Sequence, residues 1–351
     1  MAGGKTGVLI VDDSAYSRQT IKKMLEKDSN MDVLAVATDG VDAMGKTIRL
    51  KPDIITLDFE MPGMDGFAFL RWVMKEQPTP VIMVSSYSDS GTVFKALELG
   101  AVDFIAKPAR KASDMLMGIE NDLLLKVRNI KKPSLNKLRN SLELISETEK
   151  ISADIPVSRS SAEVIAIGAS TGGPAALQYI LTRLPHEFPS AMLISQHMPK
   201  GFTKSLAQRL NKMSGISVKE AGDNEPIVPS TAYICPGGSH LTVRKKRNCY
   251  YTKIIPPSRG DKYVPSVDIM MTSVAASFGK RAIGVILTGM GDDGKRGMLE
   301  IRKKNGYTIA ESEKTAVIYG MPREVVNSGG AEKIKPLHDI PKELVRILER
   351  N

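Results

Sequence analysis

The sequence predicts an α/β protein with two doubly wound parallel-sheet domains joined by a linker. Short apolar runs of strand length alternate with longer amphipathic stretches in residues 7–125 and again after residue 162. Between these regions the apolar pattern weakens, and a chain of 351 residues is long for one domain. We therefore expect one domain at 1–125, a linker at 126–161 and a second domain at 162–351.

The composition, with 42% hydrophobic and 25% charged residues, is typical of a soluble globular protein. No apolar run approaches the length of a membrane span, and the N-terminus lacks a signal-peptide pattern, which predicts a cytoplasmic location. The two cysteines, Cys235 and Cys249, lack metal-ligand spacing. A disulfide between them is neither required nor excluded.

The net charge of +10 raises the question of nucleic acid binding. Much of the excess lies in residues 126–139, which contain six basic residues and no acidic ones. Zinc-finger spacings and RNA-binding aromatic motifs are absent from the sequence. We therefore predict no nucleic acid partner, and assign the charge to a solvated linker that also attracts acidic partners.

In the first domain, polar residues follow the predicted strands. The predicted strands are 7–11, 33–37, 53–57, 80–84 and 102–105, and the predicted helices are 17–28, 40–51, 66–76 and 90–99. Asp12 and Asp13 follow the first strand, Asp58 the third, Ser85 the fourth and Lys107 the fifth. Such strand ends form the functional edge of an open parallel sheet.

This set of residues suits a magnesium-dependent phosphoryl site. Three converging carboxylates repel one another, and Mg²⁺ relieves that repulsion through oxygen ligands. Lys107 and Ser85 are suited to neutralise and hydrogen-bond phosphoryl oxygens. Helix capping by Asp12 or Asp13 is the structural alternative, and it does not account for the whole set.

The first domain resembles a response-regulator receiver domain. The matching segments are Val11-Asp-Asp-Ser14, Leu57-Asp-Phe-Glu-Met-Pro-Gly-Met-Asp-Gly66, Met83-Val-Ser-Ser86 and Phe104-Ile-Ala-Lys-Pro108. The resemblance implies that Asp58 is the phosphoacceptor and holds Mg²⁺ together with Asp12 and Asp13. It also implies that Ser85 and Lys107 contact the phosphoryl group. Phe104 is either an aromatic residue that reorients on phosphorylation or part of the core.

Part of the linker has helical periodicity. Leu135, Leu138, Leu142 and Ile145 recur at roughly helical spacing, which predicts an amphipathic helix. The remainder has the composition of a tether.

In the second domain, a nucleophile pattern follows a predicted strand. The predicted strands are 164–167, 191–195, 231–235, 241–244 and 282–287, and the predicted helices are 175–184, 202–211 and 266–278. Gly168-Ala-Ser-Thr-Gly172 fits G-x-S-x-G, in which a sharp turn exposes the serine, here Ser170. The alternatives are a purely structural turn or a phosphate cradle.

A serine nucleophile needs a base and an orienting acid. Of the four histidines, His197 directly follows Ala191-Met-Leu-Ile-Ser-Gln196, a predicted strand end, and Asp292 and Asp293 lie in the glycine-rich turn 288–294 that follows another strand end. Three strands would then deliver Ser, His and Asp to one edge of a sheet, as a catalytic triad requires. The order Ser, His, Asp along the chain differs from that of the α/β-hydrolases.

The second domain is similar to chemotaxis protein-glutamate methylesterases of the CheB family. The matching segments are Gly168-Ala-Ser-Thr-Gly-Gly-Pro174, Gln196-His-Met-Pro-Lys-Gly-Phe-Thr-Lys-Ser-Leu-Ala-Gln-Arg-Leu210, Pro265-Ser-Val-Asp268, Gly284-Val-Ile-Leu-Thr-Gly-Met-Gly-Asp-Asp-Gly294 and Tyr319-Gly-Met-Pro322. By this resemblance Ser170 is the nucleophile, His197 the base and Asp293 its orienting acid. Backbone N–H groups near Thr171 and Met290 would stabilise the oxyanion.

Two further residues of the second domain stand out. Asp292 departs from the neutral residue common in the family, and it is placed to compete for His197 or to alter its basicity. His240 is the remaining histidine that we expect nearest the site.

The resemblance implies phosphorylation-activated hydrolysis of glutamate γ-methyl esters on chemoreceptors, with release of methanol. The resemblance also allows a second activity, deamidation of receptor glutamines, on which the sequence does not decide. The implied partners are methyl-accepting chemoreceptors as substrates and a chemotaxis histidine kinase as phosphodonor, with membrane contact only through the receptors. Mg²⁺ is expected in the receiver domain and no cofactor in the esterase. The alternatives are a response regulator with a non-catalytic binding output domain and an unrelated serine esterase or amidase.

Overall fold

The computed structural model describes residues 5–86, 90–107, 119–146 and 164–349. The chain divides into two compact units, Met1–Leu142 and Glu143–Asn351. No helix in these described ranges is both long enough and apolar enough to cross a membrane.

The first unit contains a five-stranded parallel sheet with the strand order β2-β1-β3-β4-β5. Residues 7–11, 54–57 and 81–84 of its inner strands are continuous buried runs that are mostly apolar, as expected for a sheet covered on both faces, whereas the edge strand at 31–37 is partly exposed. The elements are β1 Thr6–Val11, α1 Ala15–Leu25, β2 Met31–Ala37, α2 Gly40–Leu50, β3 Ile54–Leu57, α3 Gly66–Glu76, β4 Val81–Ser86, α4 Ser90–Glu98, β5 Asp103–Lys107, α5 Glu120–Asn129 and α6 Lys132–Ser146, of which α6 extends past the unit boundary at Leu142. The strand order reverses between β1 and β3, which places the switch point beside Asp12 and Asp58.

Polar caps fix where the helices of this unit begin. The side chains of Ser14, Asp39 and Asp65 accept hydrogen bonds from backbone N–H groups in the first turns of α1, α2 and α3. The entry into α3 also requires Gly66, because a Cβ there would lie 2.5 Å from the carbonyl oxygen of Asp58. The cap residues thereby position the loops that follow β1, β2 and β3.

Helices α5 and α6 occupy the first part of the predicted linker. Leu123, Val127 and Ile130 are buried, and α5 contacts α1, so the predicted boundary at residue 125 falls inside a packed helix. The expected amphipathic helix is present as α6, with Leu135 and Leu138 buried. Residues 147–163 of the predicted tether lie outside the described residues.

The second unit is built on a seven-stranded parallel sheet with the order β14-β13-β12-β6-β7-β9-β8. Its elements are β6 Val164–Ala169, α7 Gly173–Arg183, β7 Ala191–Gln196, α8 Phe202–Met213, β8 Ser217–Glu220, β9 Thr231–Ile234, β10 His240–Lys246, β11 Cys249–Ile255, α9 Val267–Phe278, β12 Ala282–Ile286, α10 Lys295–Lys303, β13 Tyr307–Glu311, α11 Met321–Asn327, β14 Lys333–Lys335 and α12 Ile340–Glu349. Strands β7, β9 and β8 lie on one side of β6, and strands β12, β13 and β14 lie on the other. The switch point is therefore between β6 and β12. The prediction of two doubly wound parallel-sheet domains is confirmed.

One predicted strand lies outside that sheet. The segment 241–244 belongs to β10, which pairs with β11 in a separate antiparallel ribbon that packs on α9. Period-2 patterning identifies a strand but not its sheet, because pairing is a tertiary choice. The sequence patterns did not predict β8 and β14, which are short edge strands with polar residues, or β11 and β13.

Both cysteines are free. Cys235 is buried, and its burial raises the pKa of its thiol to about 12, whereas Cys249 is exposed on β11. No disulfide joins them.

Candidate active site and phosphoryl site

Three adjacent strands of the second unit end at the same edge of the sheet. Ser170 follows β6, His197 follows β7, and the loop after β12 carries Asp293. Parallel pairing puts β6 between β12 and β7, so the three side chains extend from neighbouring strand ends at the switch point.

Ser170 sits in a turn that only small residues permit. Gly172 has a φ of +78°, and a Cβ at Gly173 would lie 2.0 Å from Gln196 Oε1. The Ser170 N–H donates to the carbonyl of Thr288 at 3.0 Å, and the Ser170 carbonyl accepts from Gln196 Nε2 at 2.8 Å. The backbone of Ser170 is therefore fixed from both neighbouring strands.

His197 and Asp293, 96 residues apart in sequence, form a hydrogen bond between Nε2 and Oδ2 at 2.8 Å. Since a carboxylate only accepts, Nε2 is the donor, and the lone pair of the neutral imidazole lies on Nδ1. Within the described residues neither Nδ1 nor Ser170 Oγ makes a hydrogen bond, either with the other or with a third group. Catalytic hydrogen bonds of this type commonly tighten only when substrate binds.

The carboxylate of Asp293 is buried at the N-terminus of α9. Besides His197 it accepts hydrogen bonds from four donors, namely the Ser266 hydroxyl and the N–H groups of Val267, Asp268 and Gly294. Burial alone raises the pKa of Asp293, but the hydrogen bonds from His197, Asp268 and Val267 outweigh it and hold the pKa below its ordinary value. The helix dipole favours the same charged form. Asp293 is therefore a fixed anion.

Thr171, which follows Ser170, and Met290, which follows Gly289, are the two residues predicted to supply oxyanion donors. Thr171 and Met290 are both buried, and the carbonyl of Thr171 accepts from Thr288 Oγ1 at 2.9 Å. A Cβ at Gly289 would come within 2.7 Å of Ser170 Cβ, so the loop residue before Met290 is in direct contact with the serine. No acceptor for the Met290 N–H is found in the described part of the chain.

Asp292 does not compete for His197. It accepts hydrogen bonds from Lys262 Nζ at 2.7 Å and from the Tyr263 hydroxyl at 3.0 Å, and the contact with Lys262 holds its pKa below the ordinary value. Tyr263, which the sequence analysis did not single out, stacks on His197 with the rings parallel within 2° and their centroids 5.0 Å apart. The one sequence signal was its position next to the matching segment that begins at Pro265.

His240 is connected to Asp293 through Ser266. Its Nδ1 accepts from the N–H of Ser266 at 3.0 Å, so the neutral tautomer carries its proton on Nε2, which lies 2.9 Å from Asp261 Oδ2. Ser266 Oγ in turn donates to Asp293 at 3.1 Å. The expectation that His240 is the remaining histidine nearest the site agrees with this geometry.

In the first unit, three carboxylates gather at the switch point. Oxygens of Asp12, Asp13 and Asp58 lie within 4.8 Å of one another, a spacing and donor set that fit a divalent cation. Lys107 Nζ lies 2.8 Å from Asp12 Oδ2 and 2.7 Å from Asp58 Oδ2. The residues present therefore fit Mg²⁺, with Asp13 the exposed member.

Burial and charge act against each other at this cluster. Burial raises the pKa of Asp58, and the charge of Asp12 adds to this rise, while Lys107 opposes it. Burial lowers the pKa of Lys107, but the two carboxylates outweigh burial and raise it. Asp58 is therefore a carboxylate that is costly to keep charged without its lysine.

Two further predicted residues of the receiver site, Ser85 and Phe104, lie on the adjacent strands β4 and β5. Ser85 lies near the end of β4 and pairs with Ala106, but its side chain is outside the described residues. Phe104 is buried, and its carbonyl accepts from Lys126 Nζ at 2.6 Å.

The fold and the sites define a response regulator in which a receiver domain precedes an α/β output domain with serine, histidine and aspartate at its switch point. Residues 8–117 match the family model of the response regulator receiver domain, and residues 165–344 match that of the CheB methylesterase. The chain belongs to the CheB methylesterase family, and the prediction of a CheB-type response regulator is confirmed.

Relatives match over nearly the whole chain. The protein-glutamate methylesterase/protein-glutamine glutaminase 3 of Geobacter sulfurreducens is 43% identical over 97% of this chain and 97% of its own length. The protein of the same activity from Lawsonia intracellularis is 44% identical, covering 98% of this chain and 99% of its own. The catalytic domain of the Thermotoga maritima CheB methylesterase superposes with a TM-score of 0.52 and 38% identity, covering 53% of this chain and 98% of that domain.

Proposed function

We propose that this chain hydrolyses glutamate γ-methyl esters on chemoreceptors with Ser170 as nucleophile, His197 as general base and Asp293 as its orienting acid. The observation that carries the proposal is the partly buried His197–Asp293 hydrogen bond at the strand end beside Ser170. The names of the relatives, which specify protein-glutamate methylesterase activity, support the substrate class.

The reaction is acyl transfer in two steps. His197 Nδ1 takes the proton of Ser170 Oγ as that oxygen attacks the ester carbonyl, and the imidazolium then gives this proton to the departing methoxide, releasing methanol. Water attacks the acyl-enzyme with His197 again as base, and the glutamate carboxylate and free Ser170 are formed. Asp293, as a fixed anion, orients the imidazole and stabilises the imidazolium of both steps.

Backbone N–H groups stabilise the tetrahedral intermediates. The proposed donors are the N–H groups of Thr171, next to Ser170 in the chain, and of Met290, next to Gly289. Donors in such a position stabilise the negative oxygen of the transition state. The same steps with ammonia as leaving group convert a receptor glutamine to glutamate, which makes deamidation a second proposed activity.

The receiver domain regulates this activity through Asp58. A chemotaxis histidine kinase supplies the phosphoryl group, which Asp58 accepts while Lys107 and Ser85 contact its oxygens. Asp12, Asp13 and Asp58 would hold Mg²⁺, which when bound supplies positive charge that offsets the phosphoryl oxygens. Phosphorylation shifts the protein towards its active state. We place the protein in the cytoplasm, in contact with membranes only through the receptors, without nucleic acid partners and without an esterase cofactor.

The test is methanol release from methylated receptor membranes, with and without a phosphodonor and Mg²⁺. Wild type should release methanol faster with phosphodonor, Ser170→Ala should release none, and Asp58→Asn should lose the stimulation. Matched controls are Ser217→Ala on the exposed edge strand β8 and Asp32→Asn on the exposed face of β2, which should behave like wild type.

Each contrary outcome has a distinct meaning. Undiminished release by Ser170→Ala would contradict the nucleophile assignment. No release by wild type carrying a phosphorylated receiver would favour the non-catalytic binding output. Turnover of a generic ester but not of receptor would favour a small-molecule esterase or amidase.

A further inference from the structure

The imidazole of His197 is held on its edge and on its face. Asp293 binds Nε2, which fixes one edge of the ring. Tyr263 covers a face, with the two rings parallel within 2° and 5.0 Å between centroids, inside the range of favourable aromatic stacking. Together the two contacts restrict both side-chain torsions of His197.

Tyr263 is itself fixed by the carboxylate that departs from the family pattern. Its hydroxyl donates to Asp292 Oδ1 at 3.0 Å, and Lys262 Nζ donates to the same oxygen at 2.7 Å. The hydroxyl also lies against Gly291, where a Cβ would come within 2.1 Å of it. Gly291 has a φ of +83°, so both its conformation and the space it leaves make room for this phenol.

We infer that Tyr263 is a positioning residue for His197, and that Asp292 acts on catalysis only through Tyr263. The inference rests on the proposed function in that His197 is the base. When His197 takes the proton of Ser170, the ring beneath Tyr263 becomes a cation, and an aromatic face attracts a cation. A stacked phenol therefore stabilises the charged ring as well as its orientation.

The surrounding charges are arranged so that Tyr263 acts as a neutral hydrogen-bond donor. Burial raises the pKa of Tyr263, which keeps its proton available for Asp292. Lys262 Nζ lies 4.9 Å from the Tyr263 centroid, and its charge is paired with Asp292. Asp293 is a charged group in contact with His197, through its hydrogen bond to Nε2.

The test compares Tyr263→Leu, which removes the ring, with Tyr263→Phe, which keeps the ring and removes the hydroxyl. In methanol release by the full chain, Tyr263→Leu should lower kcat roughly 3- to 30-fold, the range of a cation–π contact, with KM nearly unchanged. Tyr263→Phe should retain most of kcat. Asp292→Asn should have a small effect that disappears in the Tyr263→Phe background, because the two residues act as one unit.

A second measurement does not depend on turnover. In NMR spectra, the ring protons of His197 should lose the ring-current shift of Tyr263 in Tyr263→Leu and keep it in Tyr263→Phe. Unchanged His197 resonances in Tyr263→Leu would overturn the inference, and so would an unchanged kcat, an effect confined to KM, or a Phe variant as slow as the Leu variant. Failure of the proposed function is distinguishable, because wild type would then show no release that depends on Ser170.

Discussion

Asp293→Asn tests whether the buried carboxylate at the α9 N-terminus determines both stability and activity. Asp293 is 2% exposed and its two oxygens accept five hydrogen bonds. An asparagine keeps one oxygen and replaces the other by an amide donor. With the oxygen in the Oδ1 position, the amide faces His197 Nε2 and the N–H of Val267, two donors that then lack an acceptor.

The size of the effect follows from those two contacts. A hydrogen bond to a charged group contributes about 1.5–3 kcal/mol, and breaking a buried charged network costs about 3–5 kcal/mol. We therefore expect the second unit to lose about 3–5 kcal/mol of unfolding free energy near neutral pH. The kcat should fall about 10⁴-fold, as when a triad histidine is left in the wrong tautomer.

In urea denaturation of the full chain, the unfolding of each unit is followed by a different combination of signals. The chain has one tryptophan, Trp72 in α3, so tryptophan fluorescence follows the first unit and far-UV circular dichroism follows both. Only the unfolding transition of the second unit should shift to lower urea concentration. The matched control is Asp292→Asn, an adjacent and half-exposed carboxylate, for which a loss below about 1 kcal/mol is expected.

The pH dependence supplies the refuting result. The folded pKa of Asp293 lies below its ordinary value of 3.8, so its stabilising contribution is complete above that value and is lost as the pH falls through the folded pKa. The stability difference between wild type and Asp293→Asn should therefore be constant near neutral pH and should shrink in acid. A loss no larger than that of Asp292→Asn, or one that grows in acid, would refute the reasoning.

Three other substitutions test neighbouring contacts. Gly289→Ala places a Cβ 2.7 Å from Ser170 Cβ and should lower kcat about 100-fold, whereas Gly45→Ala, which meets open space, should not; equal rates would contradict the contact. His240→Leu leaves the Ser266 N–H without its acceptor and should cost about 1–3 kcal/mol in the second urea transition; an unchanged transition would argue against the network. Lys107→Met leaves Asp12 and Asp58 without their cation, so the first unit, followed by Trp72 fluorescence, should lose about 3–5 kcal/mol of unfolding free energy. Added Mg²⁺ should partly restore this loss, and no response to Mg²⁺ would count against the metal site.

The sequence alone was sufficient for the fold class and for the residues at the strand ends. Buried parallel strands are continuous apolar runs, and a polar residue directly after such a run lies at the edge of the sheet wherever the strand pairs. Asp12, Asp58, Ser170 and His197 could be singled out in this way because each depends on its own local segment. The family resemblance then chose Asp293 over Asp292, which the local pattern left equivalent.

Only the tertiary structure decided how these residues are held. Asp293 binds His197 while the adjacent Asp292 binds Lys262 and Tyr263, and these partners come from other segments of the folded chain. The stack of Tyr263 on His197 joins segments that are distant in sequence, and no pattern in either segment predicts contact with the other. The strand that begins at His240 was likewise predictable as a strand but not as a separate ribbon, because pairing energies come from partners elsewhere in the chain.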